Sequence, residues 1–211
     1  MGLYARYVLP RLIDLAMRSR VVTARRARIV PLAAGKVLEI GAGSGLNLPF
    51  YGERVEKLYA LDPSPELWRL GRRRAARAGF PIEFLAHSGE RIPLPDASID
   101  TVVSTWTLCS IPRPLDALAE IRRVLTPDGR FLFIEHGRAP EAGVVAWQDR
   151  LTPLWRRIAG GCHLNRAIDA LIAGAGFEIA RLERGYGEGP RAFSFLYEGV
   201  ARRRISCGGH A

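Results

Sequence analysis

The sequence has few cysteines and no long apolar run. Its three cysteines, at positions 109, 162 and 207, are scattered through 211 residues and form neither a disulfide framework nor a paired metal-binding spacing. No stretch of about 20 apolar residues is present, so no membrane-spanning helix is predicted. The first residues lack the charged and then apolar layout of a secretion signal. These features predict a soluble, cytoplasmic protein with reduced thiols and no bound metal.

Lysine is also scarce, because only Lys36 and Lys57 among the 31 basic residues are lysines, and the net charge is +10. Such a charge is typical of proteins that bind nucleic acid or an anionic membrane face. The arginines are spread over several segments, however, and no aromatic residues alternate with them as they do in single-strand binders. A bias in codon composition would produce the same excess of arginine. Nucleic acid is therefore not predicted as a partner.

An apolar segment followed by a glycine-rich turn lies at the centre of the organisation. Residues 37–40 have the pattern of a buried parallel strand, and residues 41–45 can turn sharply toward a helix and leave bare backbone for a ligand. Residues 58–61 predict the next strand, with Asp62 at its end, nineteen residues after Gly43. An acidic residue at about this spacing binds ribose hydroxyls in nucleotide-binding βαβ units. The two strand ends predict one nucleoside site.

The third glycine distinguishes between two classes of cofactor. A dinucleotide fingerprint needs glycine at position 46, where this chain has Leu46. The stretch instead reads E-x-G-x-G-x-G, with its defining residues at Glu39, Gly41, Gly43 and Gly45. With Asp62, this arrangement resembles the first motif of the class I S-adenosylmethionine-dependent methyltransferases.

The resemblance implies a cofactor and a set of contacts. S-adenosylmethionine would lie with its methionine part against the glycine turn and its ribose on Asp62. In the family, an acid after the third strand contacts the adenine amino group; here that position is Ser88, so a backbone group at Gly89 or the carboxylate of Glu90 would supply the contact. The other candidate cofactor residues are Asn47, Pro63 and Thr105.

The remaining pattern predicts an α/β fold. Strands are predicted at 82–86, 99–104, 131–136, 177–183 and 193–201, and helices at 65–78, 115–125 and 167–175. Strands alternating with helices are typical of a parallel sheet, and a Pro-Asp-Gly turn is expected at 126–130. The resemblance implies a Rossmann-like, seven-stranded, mostly parallel sheet with helices on both faces. The hairpin-like link at 185–190 would make its last strand antiparallel.

Four regions of one domain are predicted. Residues 1–30 form an N-terminal helical cap that Pro10 interrupts, and 31–136 form the cofactor-binding core. Residues 137–176 form an acceptor-side helical insert with the last helix, and 177–205 form the C-terminal strands. The residues from Cys207 to the end are expected to fray. The sequence predicts no oligomeric state.

Methyl transfer from a sulfonium requires chiefly that nucleophile, methyl carbon and sulfur be collinear and shielded from water. A base is needed only if the acceptor must lose a proton, and His136 and His163 are the candidates. The expected acceptor-side residues are Trp106, Cys109, Glu135, Trp147 and Cys162.

The runs at 107–111, 133–136 and 161–166 resemble a narrower group. They are similar to the methyltransferase type 11 group that includes the animal membrane-associated thiol methyltransferases, which implies a small, fairly apolar acceptor such as an alkyl thiol. Those relatives carry an N-terminal hydrophobic anchor, whereas a basic helix is predicted here. The runner-up acceptor is a lipid amine, phosphatidylethanolamine, or a quinone phenol at a membrane surface that this helix contacts. A non-catalytic basic adaptor on the same fold is the alternative from another class.

Overall fold

The computed structural model describes residues 9–204, which form one sheet flanked by helices. The strands are β1 (Gly35–Ile40), β2 (Val55–Leu61), β3 (Ile82–Leu85), β4 (Ile99–Thr105), β5 (Leu125–His136), β6 (Phe177–Tyr186) and β7 (Phe195–Arg203). The helices are α1 (Leu9–Ala16), α2 (Arg20–Ile29), α3 (Pro65–Ala75), α4 (Pro114–Val124), α5 (Ala142–Ile158), α6 (Ile168–Gly174) and α7 (Arg191–Ser194). No helix in this range is long and apolar enough to cross a membrane.

The sheet has the order β3-β2-β1-β4-β5-β7-β6. The pairs among β1 to β5 are parallel, whereas β7 runs antiparallel to both β5 and β6. The predicted seven-stranded, mostly parallel sheet with an antiparallel last strand is therefore confirmed. Because the strand order reverses between β1 and β4, the carboxyl ends of these strands border the crevice in which open α/β sheets bind ligands.

Helices cover both faces of the sheet, as predicted, and the alternation along β5 shows how. Phe131 and Phe133 are fully buried in a cluster with Ile121 of α4 and Ile172 of α6. Leu132, between them, belongs to the cluster on the opposite face, which also contains the end of α2. A strand buried on both faces must be apolar at successive positions, which explains the continuous hydrophobic run of β5.

The helix expected between the glycine turn and β2 is absent from the described residues, and this prediction was wrong. The chain forms only a short 3₁₀ helix at Leu48–Phe50 before β2 begins at Val55. Pro49 lies in the first turn of that 3₁₀ helix, and Gly52 follows it. Proline and glycine both disfavour a longer helix. The short segment between the glycine turn and Val55 also leaves no room for one.

Two further boundaries differ from prediction. The expected turn at 126–130 lies within β5, where the register against β4 jumps from Ile99↔Leu125 to Thr101↔Arg130 and leaves extra residues that loop out as a bulge. The described part of the N-terminal segment breaks at residues 17–19, between α1 and α2, whereas the chain that precedes Leu9, ahead of the predicted interruption at Pro10, lies outside the described range. Residues 1–8 and the predicted frayed tail lie outside the described range.

Candidate active site

The glycine turn after β1 has all three of its motif glycines in the left-handed region, with φ of +70° at Gly41, +53° at Gly43 and +71° at Gly45. A Cβ on Gly41 would lie 2.0 Å from Thr107 Oγ1, and one on Gly45 would lie 2.7 Å from Leu48 Cδ1. At Gly43 the nearest atom would be 3.8 Å away. Packing within the protein therefore requires the outer glycines, whereas Gly43 borders open space at the sheet's edge.

Asp62 follows β2 and accepts hydrogen bonds through both carboxylate oxygens. Gly43 N donates to Oδ2 (2.9 Å) and Ser64 N donates to Oδ1 (2.7 Å). Burial raises the pKa of Asp62, and these two backbone bonds oppose the shift. The structure thus places the predicted acid directly against the turn. Each oxygen keeps a further lone pair that could accept from a ligand hydroxyl, while Pro63 beside it is exposed.

Glu39 lies beneath the turn, 2% exposed, and its partners are side chains. Asn47 Nδ2 donates to Oε1 (2.8 Å) and Tyr51 Oη donates to Oε2 (2.9 Å). Asn47 Nδ2 also donates to Thr105 Oγ1 (3.0 Å) at the end of β4. Burial raises the pKa of Glu39 to about 7, although these hydrogen bonds and Arg26 act in the opposite direction. Glu39 therefore connects β1, the glycine turn and the end of β4, and the buried layer formed by Glu39, Asn47 and Thr105 is the floor of the site.

Sequence reasoning missed Arg26, whose side chain is buried beside this floor. Its Nε donates to Asn47 Oδ1 (2.8 Å), and its guanidinium carbon lies 5.0 Å from the ring centroid of Trp106. Burial lowers its pKa to about 10. Trp106 has a φ of +52° and donates its backbone N–H to Ile134 O (2.7 Å). No sequence pattern distinguishes Arg26 from its neighbours, since it stands in a run of arginines.

Asp14 of α1 was also missed, and it fastens α1 onto the glycine turn. Its Oδ1 accepts a hydrogen bond from Ser44 Oγ (2.5 Å), and Arg18 pairs with its other oxygen. Arg74 of α3 donates to Ser44 O (2.8 Å) and lies 3.8 Å from Asp14. Helix α1 is thus attached to the turn itself by a carboxylate that is 8% exposed.

The loop after β3 lies against the end of β1. A Cβ on the buried Gly89 would come within 2.9 Å of Ile40 Cγ2. Ser88 Oγ donates to Glu90 Oε2 (3.0 Å), and Arg113 N donates to Glu90 Oε1 (2.8 Å). Glu90 is therefore tied to the loop before α4, and the backbone of Gly89 is close to the glycine turn.

Two of the predicted acceptor-side residues, Cys109 and Cys162, and both candidate bases come together near the ends of β4 and β5. His136 Nδ1 lies 3.7 Å from Cys162 Sγ, which lies 3.7 Å from Cys109 Sγ. His163 Nδ1 lies 3.2 Å from Cys109 O. His136 is 5% exposed, and its Nε2 is buried without a hydrogen-bond partner among the described residues. The cluster thus combines two thiols with two imidazoles.

Glu135 holds the loop that carries Cys109. It is fully buried; Ser104 Oγ donates to Oε1 (2.7 Å), Thr107 N also donates to Oε1 (3.1 Å), and Cys109 N donates to Oε2 (3.1 Å). Burial raises the pKa of Glu135, and these bonds oppose that shift. The carboxylate is occupied by the protein, so this geometry supports a role in shaping the loop rather than the predicted contact with the acceptor.

The structure does not bring Trp147 to this cluster. Gln148 and Thr152 are the buried residues of α5, and Gln148 Nε2 donates to Gly137 O (3.0 Å). Trp147, the neighbour of Gln148, consequently points outward and is 58% exposed. It lines a surface cavity of about 510 Å³ with Glu141 and Arg191, away from the glycine turn.

Known proteins resemble the chain in sequence and in fold. Residues 38–133 match the family model described as a methyltransferase domain, type 11. The thiol S-methyltransferase TMT1B of Rattus norvegicus is 37% identical over 145 residues, which cover 67% of this chain and 59% of that protein. The phosphatidylethanolamine N-methyltransferase of Cereibacter sphaeroides is 29% identical over 139 residues, covering 65% and 67%. An S-adenosylmethionine-dependent methyltransferase from Leishmania major has a TM-score of 0.69 at 16% identity, covering 94% and 80%.

The fold and the glycine turn define a domain of the class I methyltransferase type. More narrowly, residues 38–133 match the type 11 methyltransferase domain, and the predicted resemblance to the thiol S-methyltransferases is confirmed. The match spans about three fifths of the length of the rat relative.

Proposed function

We propose that the chain is an S-adenosylmethionine-dependent methyltransferase whose acceptor is a small, fairly apolar molecule, an alkyl thiol. The observation that carries the proposal is the position of the loop after β4. At one end of this loop, Thr107 lies against Gly41 of the glycine turn. Two residues later, Cys109 contacts Cys162 beside His136. A single loop therefore links the predicted nucleoside site to the cluster of two cysteines and two histidines.

The residues of the turn fit the proposed cofactor. Gly43 leaves space where a side chain would stand, and Asp62 has lone pairs left for ribose hydroxyls. Glu39 and Gly41, with Gly45, would surround the amino-acid end, and the Gly89 backbone would face the adenine side. The bound cofactor supplies an activated methyl group, and no metal is needed for its transfer. The protein would hold the acceptor in line with that group and exclude water.

A thiol is the acceptor that suits this side of the site, because a thiol needs little help from a base to lose its proton. A free thiol has a pKa of about 8.5, so a few per cent is ionised near neutrality. His163 is one candidate base; burial and the nearby Arg166 and Arg156 lower its pKa, which favours the neutral, proton-accepting form. His136 is the other, since its Nε2 is free of protein partners in the described part of the chain.

The test is a panel assay with methyl-labelled cofactor against an alkyl thiol, a phenol, phosphatidylethanolamine vesicles and RNA. We expect labelled thioether as the main product. His136→Ala and His163→Ala should lower the thiol rate, and exposed His87→Ala is the matched control. Methylation of the phospholipid but not of the thiol, lost on deleting residues 1–30, would overturn the choice of acceptor. Equal thiol rates in all three variants would remove the proposed base but leave the acceptor.

Exposed apolar side chains favour one second candidate, the methylation of a lipid amine or quinone phenol at a membrane surface. Leu15 of α1 is 68% exposed and Leu154 of α5 is 61% exposed. The helices are neighbours, because Ile13 Cδ1 lies 3.4 Å from where a Cβ on Gly160 would be. Exposed arginines lie within four residues of these leucines along the chain: Arg11, Arg18, Arg156 and Arg157. Apolar residues with basic neighbours are typical of contact with anionic lipid.

Co-sedimentation with anionic vesicles tests this surface. The double variant Leu15→Ser with Leu154→Ser should bind fewer vesicles than the wild type. Leu115→Ser, which alters a 55% exposed leucine on α4, is the matched control. Equal binding by all three proteins would argue against membrane contact through α1 and α5, and hence against the lipid acceptor.

A further inference from the structure

Two free thiols from distant parts of the chain lie in contact on the acceptor side. Cys109 follows β4, is 2% exposed, and has its sulfur 3.7 Å from that of Cys162, which follows α5 and is partly exposed. The His163 backbone N–H donates to Cys109 O (2.9 Å), so the two main chains are held side by side.

We propose that Cys109 and Cys162 form an oxidation site, in which a peroxide converts the two thiols into a disulfide that reversibly blocks the acceptor side. The disulfide itself does not depend on the proposed function, whereas its effect on methylation does.

The chemistry assigns one role to each cysteine. The Cys109 thiol and His136 lower the pKa of Cys162, because a hydrogen bond and an imidazole stabilise its thiolate. The partly exposed Cys162 sulfur would attack hydrogen peroxide, form a sulfenic acid and release hydroxide, which is protonated to water. The Cys109 sulfur would then attack that sulfur, and its proton would leave with the hydroxyl group as a second water. Two electrons pass from the sulfurs to the peroxide.

The local backbone allows the sulfurs to approach. A disulfide requires an S–S distance of about 2.05 Å, shorter than the present 3.7 Å. Gly160 and Gly161 precede Cys162 with φ of +61° and +89°, and glycines resist small backbone rotations least. A Cβ on Gly161 would be 3.1 Å from Ser110 O, so this segment already runs against the loop of Cys109. A bridge would fix the two walls of the acceptor cluster to each other.

The experiment treats the full-length protein with a small molar excess of hydrogen peroxide and maps cysteines by non-reducing peptide mass spectrometry. We expect a Cys109–Cys162 cross-linked peptide, a mass loss of two hydrogens, and return to the original mass with dithiothreitol. Thiol methylation should fall about tenfold or more and recover on reduction, while binding of S-adenosylhomocysteine persists. Cys207→Ser is the matched control and should behave as the wild type.

The variants separate the outcomes. In Cys109→Ser, Cys162 should stop at the sulfenic acid or oxidise further, and in Cys162→Ser, Cys109 should stay reduced. Sulfinic acid at Cys162 of the wild type without any cross-link would overturn the proposal, as would two thiols that stay reduced. A cross-link in a protein that methylates nothing would support the oxidation site and sink the proposed function instead.

Discussion

Three carboxylates lie buried at the carboxyl edge of the sheet, and their partners separate their roles. Glu39 accepts from the side chains of Asn47 and Tyr51, so it fixes the floor of the site. Glu135 accepts mainly from backbone N–H groups, so it shapes the loop after β4. Asp62 alone bonds the glycine turn itself, through Gly43 N. A substitution at each position should therefore disturb a different property.

Asp62→Ala should weaken the binding of S-adenosylhomocysteine by about 1.5–3 kcal/mol, because a charged hydrogen-bond acceptor is lost. Titration calorimetry measures the change. Asp100→Asn is the matched control, since Asp100 also accepts a backbone N–H, from Lys36 (2.8 Å), but at the opposite edge of the sheet. Unchanged affinity in Asp62→Ala would remove this residue from the cofactor site.

Glu39 makes stability depend on pH. Its pKa is raised to about 7 in the folded protein against 4.5 as its ordinary value. Between these values the folded state keeps a proton that the unfolded state has lost, so the free energy of unfolding falls as pH rises, by about 3 kcal/mol in total. Glu39→Gln should remove this fall. Urea unfolding of both proteins at pH 5 and pH 7.5, without cofactor, tests it; equal pH dependence would contradict the prediction.

Motif spacing predicted that residues of one continuous stretch, from Glu39 to Asp62, lie together, and the structure brings them together around the glycine turn. Motif spacing could not locate Arg26 or Asp14, because these side chains reach the turn only through the docking of α2 and α1. That docking depends on packing between distant segments. The Cys109–Cys162 contact has the same origin. Both residues were predicted on the acceptor side, but the contact between their sulfurs was not predictable from the sequence.

At the scale of elements, the glycine turn provides a test that separates binding from folding. Gly43→Val should abolish the binding of S-adenosylhomocysteine, because the valine side chain would fill the open space beside the turn. Apart from the adjoining residues, the nearest atom to a Cβ at this position is Gly41 O, at 3.8 Å. Gly41→Val should instead destabilise the fold, since its Cβ would overlap Thr107.

Gly189→Val controls for backbone strain in the Gly43 experiment, since Gly189 also has positive φ (+104°) and nothing within 4 Å of a Cβ. Calorimetry and thermal melts would be run on all three variants. Normal binding by Gly43→Val would contradict the assigned position of the ligand.

Helix α1 should contribute to cofactor affinity through its attachment to the turn. Asp14→Ala removes the acceptor for Ser44 Oγ, so we expect about tenfold weaker binding of S-adenosylhomocysteine and faster amide exchange in residues 11–16. Arg18→Ala removes only a half-exposed ion-pair partner of Asp14 and should change little. Equal affinity in both variants would mean that α1 packs beside the site without supporting it.

The sequence predicted every strand but β5 to within about three residues at each end, because apolar runs bounded by glycine or proline mark buried strands. Strand β5 was expected to begin at residue 131 but begins at Leu125. The prediction was wrong where the length of a connecting segment, rather than its residue pattern, determines the structure. The 3₁₀ helix at Leu48–Phe50, found in place of the expected longer helix, is an example. The Pro-Asp-Gly turn was also misassigned, since the same residues can loop out of a continuous strand when both flanks pair with β4.

For the whole molecule, the parallel strands and the two-sided core place one crevice at the carboxyl ends of β1 and β4. The cofactor motif and the cysteine–histidine cluster both lie at this edge. The excess of arginine has a more limited meaning, since exposed arginines adjoin exposed apolar residues on α3, where Arg69 precedes Leu70, as well as on α1 and α5. The fold alone does not select an acceptor, so the choice of a thiol rests on the residues of the acceptor side and on the resemblance to the thiol S-methyltransferases.

Equilibrium titration of the wild-type protein, with S-adenosylhomocysteine in one cell and a nicotinamide dinucleotide in another, tests the central claim that this edge is a methyl-donor site. We expect saturable binding of one S-adenosylhomocysteine per chain and no binding of the dinucleotide. Binding should persist at about 0.3 M salt, where surface charge is largely screened. Binding of the dinucleotide without S-adenosylhomocysteine would contradict the account.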